Sequence, residues 1–375
     1  MNLALSDEQE LLREAARDAL SRHKTVAAAR DALEGGELPD LWPTAREAGW
    51  PGLLVAEDRG GAGLSAFDAM LVAQECGRVL AGVPLLGLLP ATAILDAAGY
   101  DGLEAIASGD VRATWLPARP PGDVIGGWTV EPRRGKERPQ APNATVEGDT
   151  VTFSGTVAWV PEAPGADLLV VVGVTADGEP VAGAVEGDAA GVGVEETSRY
   201  DATRSLGHVT LDGAQGTRLA AEPGQLERAW YLAQALIAAE SLGTVETTLE
   251  MAVRYAKERF TFGRPIGSYQ AVKHGLTEVL RRQENARSLL YYAGWAFADK
   301  PDEFALAASA ARSSAGGALD FASRQNIQTH GGIGATWEHD APLYFRRAQL
   351  SRRLLAGAGD ATDRVAGELL GAAGG

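Results

Sequence analysis

Strand signals in this chain are confined to one central stretch, and that confinement limits the folds open to it. From about Trp115 prolines and glycines become dense (Pro117, Pro120, Pro121, Gly122, Gly126, Gly127), which marks a boundary. Short alternating runs follow: Ala144–Glu147 and Thr150–Phe153 flank Gly148-Asp149, Leu168–Val174 is an apolar strand, and Asp177-Gly178 closes another hairpin. On both sides the periodicity is helical. Ser6 to Gln9 reads as a capping box, and helices are expected at about 40–49, 65–80 and 87–98. After Pro223 come Gln225 to Lys257, Ala271–Phe297, Phe304–Gln328 and a last region from Pro342. A doubly wound dinucleotide fold would alternate strands with helices, so it is excluded. The expected fold is mainly α with a central antiparallel β domain: a helical unit over 1–115, a β domain over 116–222 and a helical bundle over 223–375.

With 375 residues, 45% of them hydrophobic, the chain can bury a large core, and its net charge of −16 argues against nucleic acid or an anionic membrane as partner. One cysteine, Cys76, excludes an internal disulfide framework and fits a reducing cytoplasm. Asp7, Glu8 and Glu10 stand where a signal peptide would be basic, and no apolar run approaches the roughly 18 residues of a membrane helix, so a cytoplasmic protein is expected. Five histidines and one cysteine show no metal-ligand spacing. The turn Gly60-Gly61-Ala62-Gly63 lacks the Lys-Ser/Thr of a phosphate loop, and a structural role is expected.

One segment is locally basic: Arg254, Lys257, Arg259, Arg264 and Lys273 face only Glu258. Glycines at 263 and 267 let backbone come close, and a guanidinium at a helix end with a downstream amide, Gln270, suits a phosphate-bearing ligand. On chemistry alone the segment reads equally as a helix-loop-helix corner with a solvated basic edge.

The motif Tyr255-x-x-x-Arg259-x-x-Phe262-Gly-x-Pro-Ile, followed by Tyr269-Gln270, resembles that of the acyl-CoA dehydrogenase flavoproteins. A second match is Gln328-Thr-His-Gly331-Gly332-Ile-Gly334, then Glu338 and Arg346-Arg347-Ala348, and the resemblance runs from Leu5 to about Leu370. It implies a helical–β–helical architecture and an FAD whose adenine and diphosphate end is held by a neighbouring subunit. Arg259, Phe262, Gln270, Gln328, Gly331 and Gly332 then serve the partner's FAD. His330 between them is expected to be structural.

The same resemblance exposes departures. In the family a Thr-Glu-Pro-x-x-Gly-Ser-Asp loop hydrogen-bonds the flavin ring; here the run is Val130-Glu131-Pro132-Arg133-Arg134-Gly135-Lys136-Glu137. The family's Trp-Ile-Thr becomes Trp159-Val160-Pro161, and proline offers neither hydroxyl nor amide hydrogen. Three ring contacts are lost, each unmade bond costing roughly 1–3 kcal/mol. Removing an α-proton also needs a carboxylate. At the two places where the family carries it, this chain has Arg353-Leu354-Leu355-Ala356-Gly357 and Ala233-Gln234.

Glu240, in an apolar helix two turns from Ala233, is the candidate catalytic base, with an interface carboxylate as the alternative role. Asp360 and Asp363 read equally as helix N-terminal residues. The combination implies the flavin-poor subunit of an FAD-dependent acyl-CoA dehydrogenase built from two unlike chains, α2β2, sharing FAD across the interface. The run from Gly332 to Asp340 is similar to two-chain actinobacterial enzymes acting on steroid side-chain CoA thioesters. As electron acceptor, an electron-transfer flavoprotein and oxygen both stay open. A self-sufficient homomer using Glu240, or a non-catalytic structural subunit, stays open.

Overall fold

The computed structural model describes residues 4–122, 125–132, 138–197 and 200–373. The N-terminal part holds α1 (Asp7–Ser21), α2 (Thr25–Asp31), α3 (Trp42–Glu47), α4 (Ala66–Arg78), α5 (Leu85–Ala97) and α6 (Leu103–Ala107). α1 opens with the expected capping box: the Gln9 amide donates to Ser6 Oγ at 3.3 Å and the Ser6 amide to Gln9 Oε1 at 3.1 Å. The turn at Gly60–Gly63 is structural, since a Cβ on Gly61 would lie 2.1 Å from the Val55 carbonyl oxygen.

Seven strands follow: β1 (Ala113–Trp115), β2 (Asn143–Glu147), β3 (Thr150–Pro161), β4 (Leu168–Val174), β5 (Pro180–Glu186), β6 (Val192–Glu196) and β7 (Leu206–Leu219). Antiparallel pairs β2–β3, β3–β7, β7–β5 and β5–β4, with one bridge from Asn143 to Val174, close five strands into a small barrel. β6 adds to β7. β1 departs from the antiparallel expectation: it lies parallel to β4, Ala113 opposite Leu168, and the intervening strands supply the long connection a parallel pair needs. The β2–β3 hairpin turns on Gly148 at φ +62, a conformation glycine adopts without strain. Phe153 fills the barrel, and a Cβ on Gly173 or Gly183 would come within 2.8 Å of its ring.

α7 (Pro223–Glu258) runs 36 residues through the centre of the molecule and is buried on every face from Ala229 to Glu246. β8 (Phe260–Thr261) and β9 (Arg264–Pro265) form a small hairpin at its end, followed by α8 (Gln270–Asp299), α9 (Pro301–His330), α10 (Ala341–Ser351) and α11 (Gly357–Ala373). α4 crosses α7 at paired glycines: a Cβ on Gly77 would meet the Glu240 carbonyl oxygen at 2.0 Å, and one on Gly243 the Gln74 carbonyl oxygen at 1.9 Å. Among the described residues no helix is long and apolar enough to cross a membrane.

Candidate functional site

α7 ends where Arg259 turns to extended backbone, φ −81 and ψ 121. The chain then reverses in the β8–β9 hairpin, whose two loop residues, Phe262 and Gly263, both have positive φ (52 and 76). This is the geometry of a type I′ turn, in which glycine is comfortable and a bulky residue is not. Three contacts hold it: Ile266 N donates to Arg259 O at 2.7 Å, Tyr269 Oη donates to Thr261 O at 3.0 Å, and the Arg264 guanidinium sits 4.1 Å from the Tyr269 ring centre. The result is an exposed aromatic: Phe262 is 93% exposed. Arg259 is also exposed, and its guanidinium has no hydrogen-bond or ion-pair partner among the described residues.

The second motif reaches the same end of the bundle. Tyr255, in the last turn of α7, stacks on His330, in the last turn of α9, with ring centroids 4.4 Å apart. His330 is buried; its Nδ1 lies 2.8 Å from Asn326 O, and its other neighbour is His339 at 4.3 Å, so its contacts are those of a packing residue. Backbone approach seats α8 beside α9, where a Cβ on Gly275 would touch the Gln325 side chain at 2.7 Å. Gln270 and Gln328 are exposed, and a Cβ on Gly331 or Gly332 would meet nothing within 4 Å. The structure therefore gathers Arg259, Phe262, Gln270, Gln328, Gly331 and Gly332 at one open end, beside the exposed side chains of Phe260, Ile333 and Trp337.

A cavity of about 480 Å³ lies between the barrel and the helical bundle, lined by Glu131, Trp159, Leu350, Arg353, Leu354 and Ala356 among others. Trp159 sits at an irregularity in the β3–β7 register with φ 56. Its Nε1 donates to Pro132 O at 3.1 Å, its amide to His208 Nδ1 at 3.3 Å, and its ring meets His208 edge-on at 4.7 Å. Opposite, Leu355, Ala356 and Gly357 have successive positive φ values of 52, 64 and 83. The Ala356 amide donates to the Glu131 carboxylate, and Arg312 holds the same turn from behind, through Ser351 O at 2.5 Å and Leu354 O at 3.1 Å. Burial pushes Glu131 up to about 7 and Arg312 down to about 10. Sequence reasoning passed over Glu131, and only its tie to the 355–357 turn singles it out.

The residues expected to differ from a flavin-ring site are only partly in view. Arg133, Arg134, Gly135, Lys136 and Glu137 lie outside the described residues. Pro161 is buried, and its carbonyl accepts from Thr114 Oγ1 at 2.7 Å.

Glu240 does not stand free. It is 5% exposed, its carboxylate is bonded to the Arg204 guanidinium, and it does not line the cavity. Arg204 also reaches Ser351 Oγ at 3.4 Å, so the pair ties the loop before β7 to α7 and α10. The Glu240 carboxylate thus joins α7 to the loop before β7 through Arg204. Nearby, Arg347 pairs with Asp201 at 2.7 Å, and burial raises Glu162, which accepts from the Gly87 amide, to about 8. Gln234 donates to Leu355 O at 3.0 Å. Asp360 is paired with Arg119 at 2.7 Å and Arg138 at 3.0 Å, and Asp363 is exposed. Among the described residues no three His, Cys, Asp or Glu side chains cluster as metal ligands.

A helical unit, a small barrel and a helical bundle, in that order, are the fold of an acyl-CoA dehydrogenase. Residues 6–119 match the acyl-CoA dehydrogenase N-terminal domain and 225–363 the acyl-CoA dehydrogenase C-terminal domain. The chain belongs to the acyl-CoA dehydrogenase family, a family of oxidoreductases. It is 32% identical over 366 residues to acyl-CoA dehydrogenase IpdE2 of Mycobacterium tuberculosis, covering 97% of this chain and 98% of that one. Among solved structures it is similar to a Tcur3481-Tcur3483 steroid ACAD variant, with TM-score 0.86, 28% identity and coverage of 98% and 99%. The ChsE4-ChsE5 complex from Mycobacterium tuberculosis, with TM-score 0.85, 24% identity and coverage of 99% of both chains, shares the fold.

Proposed function

We propose that this chain is the flavin-poor subunit of a two-chain, FAD-dependent acyl-CoA dehydrogenase, α2β2, and lends the adenine and diphosphate contacts for FAD seated in its partner. The carrying observation is the bundle end, where a bulky Phe262 is held outward in left-handed backbone and the Arg259 guanidinium has no partner among the described residues. Strain of this kind, costing about 1–3 kcal/mol, persists where function needs it. The residues fit the nucleotide end of FAD: Arg259 can fork onto phosphate oxygens, and Gln270 and Gln328 supply amide donors and acceptors. Gly331 and Gly332 let the ligand approach the backbone, and Phe262 packs against it.

Bound FAD would supply the acceptor for a β-hydride, and a carboxylate would take the α-proton of the acyl thioester. In this reading both events belong to the partner. Here Glu240 is committed to Arg204, and Pro161 offers no N–H beside Trp159. One similar solved structure is a steroid ACAD, which supports a bulky acyl-CoA such as a steroid side-chain thioester as substrate. The enzyme is cytoplasmic, passes electrons to an electron-transfer flavoprotein, and its units are 1–115, 116–222 and 223–375.

The test is expression of the chain alone and together with its dehydrogenase-like partner, measuring flavin absorbance per polypeptide. The expected result is a colourless chain alone and one FAD per pair of unlike chains. A second reading, a self-sufficient homomer, is favoured by the cavity beside Trp159, which contains a carboxyl, Glu131. It requires the chain alone to be yellow.

A further inference from the structure

We infer that the cavity beside Trp159 is a binding site of its own, taking a flat apolar molecule that carries one anionic group, such as a polycyclic carboxylate. The inference rests on the reading that this chain seats no flavin ring. Four features carry it. The cavity, about 480 Å³, falls within the roughly 300–1,000 Å³ of small-molecule sites. One wall is a fixed plane: the Trp159 indole is anchored by Pro132 O at 3.1 Å and braced edge-on by His208 at 4.7 Å, so it does not need to be ordered by the ligand. Leu350 and Leu354 add an aliphatic lining.

The fourth feature is an available charge. Among the described residues two arginines line the cavity, and Arg138 is committed to Asp360 at 3.0 Å. Arg353 is exposed, and among the described residues its guanidinium makes one contact, to the Gln349 carbonyl at 3.3 Å, with no carboxylate partner. In a chain with 50 acidic residues against 34 basic ones, an arginine left unpaired on an apolar cavity wall is a ready anion receptor. Glu131 closes the other side, with the Ala356 amide on its carboxylate. Arg138, Arg312 and Asp360 are the charged groups acting on it, Arg353 lines the same cavity, and burial pushes the Glu131 carboxyl up to about 7. Protonated Glu131 donates to the ligand carboxylate; ionised, it repels it. Affinity therefore falls as pH rises through neutrality.

The experiment is isothermal titration of the purified full chain with pyrenecarboxylate, with neutral pyrenemethanol as comparison and flavin absorbance read on the same sample. The expected result is one saturable site per chain, at least about tenfold weaker for pyrenemethanol and for Arg353→Ala, a loss of one charge-assisted contact. Arg353→Lys falls between, and Leu354→Trp abolishes binding by filling the cavity. Arg281→Ala, another exposed arginine, leaves binding unchanged. Thermal melts of each variant confirm folding. A colourless chain with no saturable site, or with equal affinity in wild type and Arg353→Ala, overturns the inference and leaves the flavin-poor reading standing. A yellow chain overturns both.

Discussion

The Tyr255 ring lies 4.4 Å from the His330 ring, centroid to centroid, with 36° between their planes. Tyr255 precedes Arg259 by one helical turn, and His330 follows Gln328 by two residues, so this contact joins the two motifs that meet at the bundle end. Neither helix terminus fixes the other by backbone bonding. The register of this bundle end depends on side-chain packing among Tyr255, His330 and His339.

Tyr255→Ala should therefore separate cofactor retention from stability. A stacked aromatic pair is worth about 0.5–1.5 kcal/mol beyond its area, a modest fraction of the stability of a chain this size. Loss of alignment between Arg259 and Gln328 should weaken FAD retention in the two-chain complex about tenfold, while Tyr255→Phe retains it. Flavin release during gel filtration checks both. Equal retention in the alanine variant would detach the contact from cofactor binding.

Arg259→Ala should leave folding untouched, because the guanidinium has no partner to lose among the described residues. Charge-assisted hydrogen bonds contribute about 1.5–3 kcal/mol, so FAD affinity of the complex should drop by roughly ten- to a hundredfold. Arg259→Lys keeps the charge without the fork and should fall between. Titrating FAD into deflavinated complex gives the numbers; an unchanged constant would remove Arg259 from the site.

Arg204→Leu should be strongly destabilising. It leaves the Glu240 carboxylate buried at 5% exposure with its guanidinium gone, and breaking such a pair costs about 3–5 kcal/mol. Arg204→Leu combined with Glu240→Leu should recover much of that loss, since neither charge then remains buried. Urea midpoints of the two variants decide it. A double variant no better than the single would mean that the pair's other contacts, such as Ser351, dominate.

What was legible in the sequence was local. Ser6 and Gln9 are three residues apart, Gly148 sits inside its own hairpin, and the apolar pattern of α7 declares its length. The two motifs at the bundle end were legible as strings of residues, because each lies within one turn and its flanking helices. The rest depends on distant partners. The sequence names no partner for Glu240: Arg204, 36 residues away, is brought against it by the loop before β7. Glu131 bonds to an amide 225 residues downstream, and the cavity exists only because the barrel places Trp159 opposite α10. β1 pairs parallel to β4 for the same reason: nothing near residues 113–115 names its neighbour.

Glu131 supplies a pH dependence opposite in sign to that of a salt-bridged carboxylate. Its carboxyl is pushed up to about 7 in the folded chain, first by burial, against an ordinary glutamate value of about 4.3 in the unfolded one. Between those values the folded state holds the extra proton, so stability falls as pH rises. Its contribution is complete below the unfolded value and is lost as pH climbs through about 7. Glu162, raised to about 8 by burial, acts in the same direction over a slightly wider range. Glu131→Gln cannot ionise and keeps a carbonyl oxygen for the Ala356 amide. Its urea midpoint should change less between pH 5 and pH 8 than that of the wild type, on the order of half the slope when Glu162 remains. Glu131→Gln with Glu162→Gln should be flatter still. A wild-type midpoint that rises over this interval, or a glutamine variant with the wild-type slope, would show that the Glu131 carboxyl is solvated and ionised in the folded chain.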